Sequence, residues 1–279
     1  MIKIGYLGPE GSYCEIAAKM WQEILGLKDA NLISSTTIPF LIQSIEKDIM
    51  DYSIVPLENS IEGNINITMD ELIRTEARIV GEIIIKVDHC LAVRPETTRN
   101  KLQRIYSHSQ ALSQCYHFIT ASFPNALLIP VESTSKAAEL VAKSKKNSGA
   151  ICSKQAALNN NLIILAEKIQ DYQDNKTRFV AVSKHRPKPA KKNKTTLVIA
   201  LPKNKPGGLY RVLKEFADEQ INLTKIESRP TKKELGEYLF FIECVGHIQD
   251  QGLNNVLNIL SSKAALLKVL GSYPIAEEE

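Results

Sequence analysis

The chain has 279 residues, of which 44% are hydrophobic and 24% charged, and its formal net charge is +4. That length suits two domains, at about 100–200 residues each, and the composition is that of a globular protein able to bury a core without disulfide or metal staples. So small a charge gives little reason to expect a nucleic-acid partner, and five scattered cysteines with no Cys-x-x-Cys pair point to reduced thiols in a cytoplasm, not to a disulfide framework or a metal site.

In chain order, Ile2–Leu7 reads as a strand. Gly8 and Pro9 break that run before a signal-peptide core can form, and no later apolar run is long enough to span a membrane, so no membrane partner is expected. Ser12–Leu25 follows the helical period, with Ile16, Ala17, Met20, Trp21 and Ile24 on one face. Asn31–Ser35 predicts a strand, Pro39–Asp48 a helix with proline in its first turn, Tyr52–Pro56 a strand and Thr68–Arg74 a short helix. Ile79–Val93 is long and β-branched, and reads as two strands meeting near Asp88. Arg104–Ser107, Ala126–Pro130, Gly149–Cys152, Leu162–Ala166 and Arg178–Ser183 are expected strands, with helices over Gln110–Ala121 and Ser135–Lys145. This alternation predicts an α/β sheet with mostly parallel pairing.

Lys184–Lys194 is rich in lysine and proline and lacks apolar periodicity, so it reads as a solvated linker. Beyond it, Thr195–Leu201, Ile221–Arg229, Glu237–Gly246 and Leu266–Tyr273 predict strands, with helices at Gly208–Glu219 and Leu253–Ser262. The order is βαββαβ, a ferredoxin-like arrangement. The expected domains are residues 1–184, a linker at 185–194, and residues 195–279.

In the first domain one event recurs. A strand ends, a Ser, Thr or Asn appears, and a helix is expected: at Gly8–Ser12, at Glu58-Asn59-Ser60, at Ser107–Gln110 and at Glu132–Ser135. Taken singly these are ordinary caps. Taken together, along the carboxyl edge of an open α/β sheet, they offer backbone N–H groups, hydroxyls and a carboxamide to a small anion. The glycine loop at 8–11 lacks the fingerprints of dinucleotide or nucleotide loops, so no such cofactor is expected.

Four segments carry a resemblance to the prephenate dehydratase family, and the match runs over essentially the whole chain. They are Gly8-Pro9-Glu10-Gly11-Ser12-Tyr13, Val55-Pro56-Leu57-Glu58-Asn59-Ser60 with Gly63, Ser107-His108-Ser109-Gln110-Ala111 with Gln114-Cys115, and Asn175-x-Thr177-Arg178-Phe179. Ser12-Tyr13 stands where the family has Thr-Phe, which keeps a hydroxyl, and Ser109 stands where it has proline. The C-terminal unit resembles the ACT domain of these enzymes through Lys205–Tyr210 and the Glu227-Ser228-Arg229-Pro230 motif. The resemblance implies a two-lobed catalytic domain like the periplasmic binding proteins, followed by a phenylalanine-binding regulatory domain.

The implied reaction turns prephenate into phenylpyruvate with loss of water and carbon dioxide. It needs no strong base, because the C–C bond breaks without proton abstraction. It does need a donor for the departing hydroxide. On the family's motif that donor is Thr177, with Arg178 clamping a carboxylate and Phe179 lining the ring face. Ser12, Asn59, Ser60, Ser107, Gln114 and Thr134 are candidates for holding the dianion. Glu58 belongs to the same motif, either orienting Asn59 or acting protonated. No metal or other cofactor is implied.

Phenylalanine is expected at Gly207, Gly208 and Leu209 and at Asn222, Leu223, Glu227, Ser228, Arg229 and Pro230, between paired ACT domains, which implies a homo-oligomer, dimer or tetramer. The competing readings are arogenate dehydratase, a solute-binding protein and an ACT-bearing transcriptional regulator, although no helix-turn-helix is found for the last.

Overall fold

The computed structural model describes residues 1–144, 147–202, 206–231 and 238–276. In chain order the elements begin with β1 (Lys3–Leu7), α1 (Tyr13–Ile24), β2 (Asn31–Ser35), α2 (Ile38–Glu46), β3 (Tyr52–Asn59) and β4 (Gly63–Asn64). Next come α3 (Asn66–Arg74), β5 (Arg78–Lys86), β6 (Cys90–Val93), β7 (Arg104–Ser107), α4 (Ser109–Gln114), α5 (Tyr116–Ser122) and β8 (Leu127–Pro130). They continue with α6 (Thr134–Lys143), β9 (Ser148–Cys152), α7 (Lys154–Asn159), β10 (Ile163–Ala166) and β11 (Lys176–Ser183). The last are β12 (Asn193–Ala200), α8 (Gly208–Asp218), β13 (Leu223–Pro230), β14 (Tyr238–Val245), α9 (Gln251–Lys263) and β15 (Leu266–Pro274).

The chain divides into two compact units. The first comprises Met1–Leu41, Ile54–Ile65 and Ile84–Phe179. It holds two sheets. In one, β1 lies between β3 and β2 and pairs with β2 in parallel, Lys3 opposite Asn31. The other runs β10-β6-β9-β7-β8, with β7 parallel to β8 and β9, and β6 antiparallel to β9 and β10. Alternation along its strands feeds two cores, as the two-residue period of a strand requires. Leu91, Val93, Ile105 and Ile151 join Leu112 and Ile119 on one face. Ala92, Ala150 and Cys152 join Ala137, Val141 and Ala156 on the other.

The second unit comprises Ile42–Ser53, Asn66–Ile83 and the described residues from Val180 on. Its ferredoxin-like part has the order β13-β14-β12-β15, with β12 antiparallel to both neighbours. Leu197, Ile199 and Ile242 of the sheet pack on Val212 and Phe216 of α8 and on Leu253, Val256 and Leu260 of α9. β15 also pairs in parallel with β5 at a single point, Gly271 opposite Ile79. A Cβ on Gly271 would lie 2.4 Å from the Ile79 carbonyl oxygen, so only glycine allows this approach.

Several expectations change. On α1 the buried residues are Glu15, Ala17, Ala18 and Trp21, while Ile24, expected on the packed face, is 62% exposed near the helix end. The helix expected over Gln110–Ala121 is two, α4 and α5, broken at Cys115 (φ −115°, ψ 19°). The pairing in the five-stranded sheet is mixed, not mostly parallel. A helix, α7, was not anticipated; Ser153 caps it, its hydroxyl accepting from the Ala156 N–H at 3.0 Å. Glu58-Asn59-Ser60 starts no helix, since β3 runs on to Asn59 and turns into β4. The linker is shorter than expected, because Asn193 and Lys194 already belong to β12. Lys145, Lys205, Glu237 and residues 277–279, all within expected elements or domains, lie outside the described residues.

Candidate active site

The site is built around Asn59 at the end of β3. Its Oδ1 accepts the backbone N–H groups of Ile61 and Glu62, each at 3.0 Å, which fixes the turn toward β4 and the orientation of the amide. Its Nδ2 donates to Asn175 Oδ1 and to Thr177 Oγ1, both at 2.8 Å, and to the Lys176 carbonyl at 3.3 Å. Ser60 completes the join: its N–H donates to the Lys176 carbonyl at 2.8 Å, and its hydroxyl accepts from Lys176 N at 2.9 Å. One asparagine thus binds together the two motifs that hold Asn59 and Thr177.

The consequence for Thr177 is chemical. Its oxygen accepts from Asn59, so its O–H is oriented to donate elsewhere. The residue is half-buried, which suits contact with a bound molecule. Arg178, pointing to the opposite side of β11, pairs with Glu58 (Nη2 to Oε2, 2.9 Å), its side chain 10% exposed and that of Glu58 35%. The Glu58 carboxylate is therefore the arginine's partner. Phe179 is 1% exposed and among the largest fully buried side chains, so it is core and lines no open surface.

Beyond Asn175 the amides continue. Asn175 Nδ2 donates to Gln114 Oε1 at 3.2 Å, and the same oxygen lies 3.2 Å from His89 Nε2. His89 is 4% exposed, and burial depresses its pKa, favouring the neutral ring. The backbone N–H of His89 donates to Gln170 Oε1 at 3.0 Å, and Gln170 Nε2 donates to Asp88 Oδ1 at 2.6 Å. Neither His89 nor Asn175 was among the site residues expected, although Asn175 opens the motif that contains Thr177. No short motif marks His89, whose partners are remote in sequence.

The expected serines behave differently. Ser12 caps α1, accepting from Glu15 N at 3.3 Å and donating to the Leu7 carbonyl at 3.2 Å. Ser107 is fully buried, and its hydroxyl donates to the Ile151 carbonyl at 2.6 Å. At α4 the cap is His108, whose Nδ1 accepts from Gln110 N at 3.4 Å. At α6 it is Ser133, accepting from Lys136 N at 3.0 Å, with Thr134 half-buried in the first turn. The hydroxyls of Ser12, Ser107 and Ser133 are thus each engaged with backbone groups.

The loop before α1 meets α7. Ser153 donates to the Gly11 carbonyl at 2.8 Å, and Gly11 N donates to Glu15 Oε2 at 2.5 Å. Gly11 has φ +79°, and a Cβ there would sit 2.9 Å from Ala156 Cα, so the contact requires glycine. Tyr13 donates its hydroxyl to the Asp88 carbonyl. The described residues contain no group of three or more His, Cys, Asp or Glu arranged to hold a metal ion.

In the ferredoxin-like domain, Gly207 caps α8, Gly208 is buried, and Leu209 is half-buried. Along β13 exposure alternates. Leu223, Glu227 and Arg229 are half-buried, Ser228 and Pro230 face outward, and Asn222 just before the strand is exposed. The Arg229 guanidinium is directed at α3, where it meets Asp70 and the Asn66 carbonyl.

An α/β unit that gathers carboxamides and a threonine hydroxyl, joined in one chain to a βαββαβ domain, defines an enzyme linked to a small-ligand sensor. Family models agree: prephenate dehydratase matches residues 4–187 and the ACT domain residues 195–261. The chain belongs to the prephenate dehydratase family. A prephenate dehydratase of Methanocaldococcus jannaschii is 38% identical, over 97% of each chain. The solved prephenate dehydratase of Arthrobacter aurescens in complex with L-Phe is 33% identical with a TM-score of 0.89, covering 98% of this chain and 90% of that one. A solved protein described as GqqA, a novel type of quorum-quenching acylase, is 27% identical with a TM-score of 0.87, covering 98% of each.

Proposed function

We propose that this protein converts prephenate to phenylpyruvate in phenylalanine biosynthesis, and that phenylalanine bound by its ACT domain restrains it. Because a fold neighbour carries a different activity in its description, the reading rests on the site. The observation that carries it is the 2.8 Å bond from Asn59 Nδ2 to Thr177 Oγ1, which turns a threonine into a pointed hydrogen-bond donor. The reaction asks for little else. The ring carboxylate leaves as carbon dioxide, its bonding electrons enter the ring, and the C4–O bond breaks. The departing oxygen takes up one proton, supplied from solvent through Thr177, and aromatisation drives the step.

Gln114 holds an anionic group of the substrate in this reading, while Arg178, on the opposite side of β11 and paired with Glu58, braces the strand that carries Thr177. Asn59, Ser60 and Asn175 set the geometry. Ser12 and Ser107 contribute through the backbone groups they bind, Thr134 stands in the first turn of α6, and Phe179 supports β11 as buried core. The proposed catalytic domain is residues 1–184 and the regulatory domain 195–279, in keeping with the family matches at 4–187 and 195–261. Phenylalanine contacts are assigned to Gly207, Gly208, Leu209, Asn222, Leu223, Glu227, Ser228, Arg229 and Pro230. The edge position of β13 supports pairing of two ACT domains in a homo-oligomer. No helix among the described residues is long and apolar enough to cross a membrane, in keeping with a cytoplasmic enzyme.

The test is direct. The purified full chain is mixed with prephenate or with arogenate, and aromatic product is followed with and without phenylalanine. Turnover of prephenate, slowed by phenylalanine, is expected; turnover of neither substrate would sink the reading, and preference for arogenate would redirect it.

A further inference from the structure

The chain of side-chain amides can be assigned atom by atom, starting from groups whose polarity is not in question. Backbone N–H groups only donate, so the Asn59 atom facing Ile61 N and Glu62 N is its oxygen. The Asn59 nitrogen therefore faces Asn175, whose nearest atom must be its own oxygen. That leaves the Asn175 nitrogen facing Gln114, so the Gln114 atom there is Oε1. His89 Nε2 approaches this same oxygen at 3.2 Å and must carry the proton. Two nitrogen atoms at the end of this series, Gln114 Nε2 and His89 Nδ1, are then buried with no hydrogen-bond partner among the described residues. An unspent buried amide donor is costly unless something is bound to it.

We propose that His89 is a positioning residue for the dehydratase reaction: its Nε2–H and the amide of Asn175 hold Gln114 Oε1 between them, which keeps the Gln114 NH2 as an oriented donor for an oxygen of the substrate. This rests on the reading given above. With only Asn175 at Oε1 the carboxamide has one restraint and can rotate; with two it has a single orientation, set before substrate arrives. Burial keeps the ring neutral, so the positioning group adds no charge beside the donor. The backbone of His89 is held on both sides, by Gln170 Oε1 at its N–H and by the Ile169 N–H at its carbonyl, so the ring sits on a fixed base. The adjacent carboxylate, Asp88, accepts from Gln170.

The experiment compares His89→Met, which fills the volume without a donor, with His89→Gln, which keeps an N–H at similar reach. His89→Met is expected to raise KM for prephenate about tenfold, the worth of one hydrogen bond, with a smaller change in kcat. His89→Gln is expected to restore most of the loss. In a Gln114→Ala background His89→Met should add little. Equal behaviour of the Met and Gln variants, or penalties that simply multiply, would overturn the role. A measurement on the unsubstituted enzyme guards against a variant that fails to fold: nitrogen NMR of the ring at neutral pH should show the Nε2–H tautomer, and an Nδ1–H tautomer or an imidazolium would overturn the assignment. Failure of the dehydratase reading appears separately, as absence of prephenate turnover by the unsubstituted chain.

Discussion

Arg229 on β13 reaches from the regulatory domain to Asp70 on α3, Nη1 to Oδ1 at 2.9 Å, and donates to the Asn66 carbonyl at 3.1 Å. The pair is largely buried, with the arginine side chain 11% exposed and the aspartate 24%. The chain runs from the Asn59 turn through β4 directly into α3. The Glu-Ser-Arg-Pro motif therefore has a mechanical contact as well as a proposed ligand contact. Its serine and proline face outward along β13 while its arginine grips the helix that follows the Asn59 turn.

Asp70→Asn keeps the shape of that contact and removes its charge. The expected outcome is a folded enzyme with turnover near that of the parent in the absence of phenylalanine. Its phenylalanine concentration for half-inhibition should shift about fivefold or more, the low end of ordinary allosteric coupling. Superimposable inhibition curves would show that the grip on α3 takes no part in regulation.

Thr177→Ala removes the proposed donor. Turnover should fall about 10²-fold or more, while the melting temperature stays close to that of the parent, since a half-buried hydroxyl is lost and no large cavity opens. Thr177→Ser, which keeps the O–H within reach of Asn59, should recover much of the loss. Steady-state rates on prephenate, with melting curves as the control, decide it.

Lys194 was expected in a solvated linker, yet its ammonium sits 3.1 and 3.0 Å from the two oxygens of Glu82, whose side chain is fully buried. Glu243 lies 4.0 Å away on the other side. Lys194→Met leaves these two carboxylates without the ammonium and should cost about 3–5 kcal/mol. Adding Glu82→Gln should return part of that stability. Urea unfolding of the two variants checks both directions, and a single variant as stable as the parent would contradict the geometry.

His89 supplies a pH dependence with a definite sign. Burial is the largest cause of its lowered pKa, ahead of the opposing effects of Gln114 and Asp88. Below the unfolded-state value of about 6.5 the unfolded chain binds the proton and the folded one does not. This contribution to stability is therefore complete above pH 6.5 and is lost as pH falls toward the folded pKa. Melting temperature should drop on acidification through that range, and His89→Gln should blunt the drop. A parallel acid profile in the variant would place the effect on other groups.

Much of the architecture follows from local periodicity. The strand Asn31–Ser35 and the βαββαβ order were legible because burial on one face leaves a two-residue or 3.6-residue pattern in any strand or helix. The α4–α5 break at Cys115 and the helix after Ser153 were less so, since helices of six or seven residues hold fewer than two turns over which a pattern could repeat. Motif order alone pointed to the family and to Thr177. What the sequence by itself determined is therefore the succession of elements, the family and the presence of the threonine proposed as the donor.

The tertiary structure decided which polar groups are already spent. Ser12 and Ser107 looked as available as Thr177, yet their hydroxyls donate to backbone carbonyls, of Leu7 and of Ile151 on β9, while the oxygen of Thr177 accepts from Asn59 on another strand. It also moved Lys194 from tether to buried pair and brought His89 to Gln114. The physical reason is the same throughout. Element formation depends on neighbours along the chain, whereas the direction of a hydrogen bond depends on partners that only folding brings within 3 Å or so.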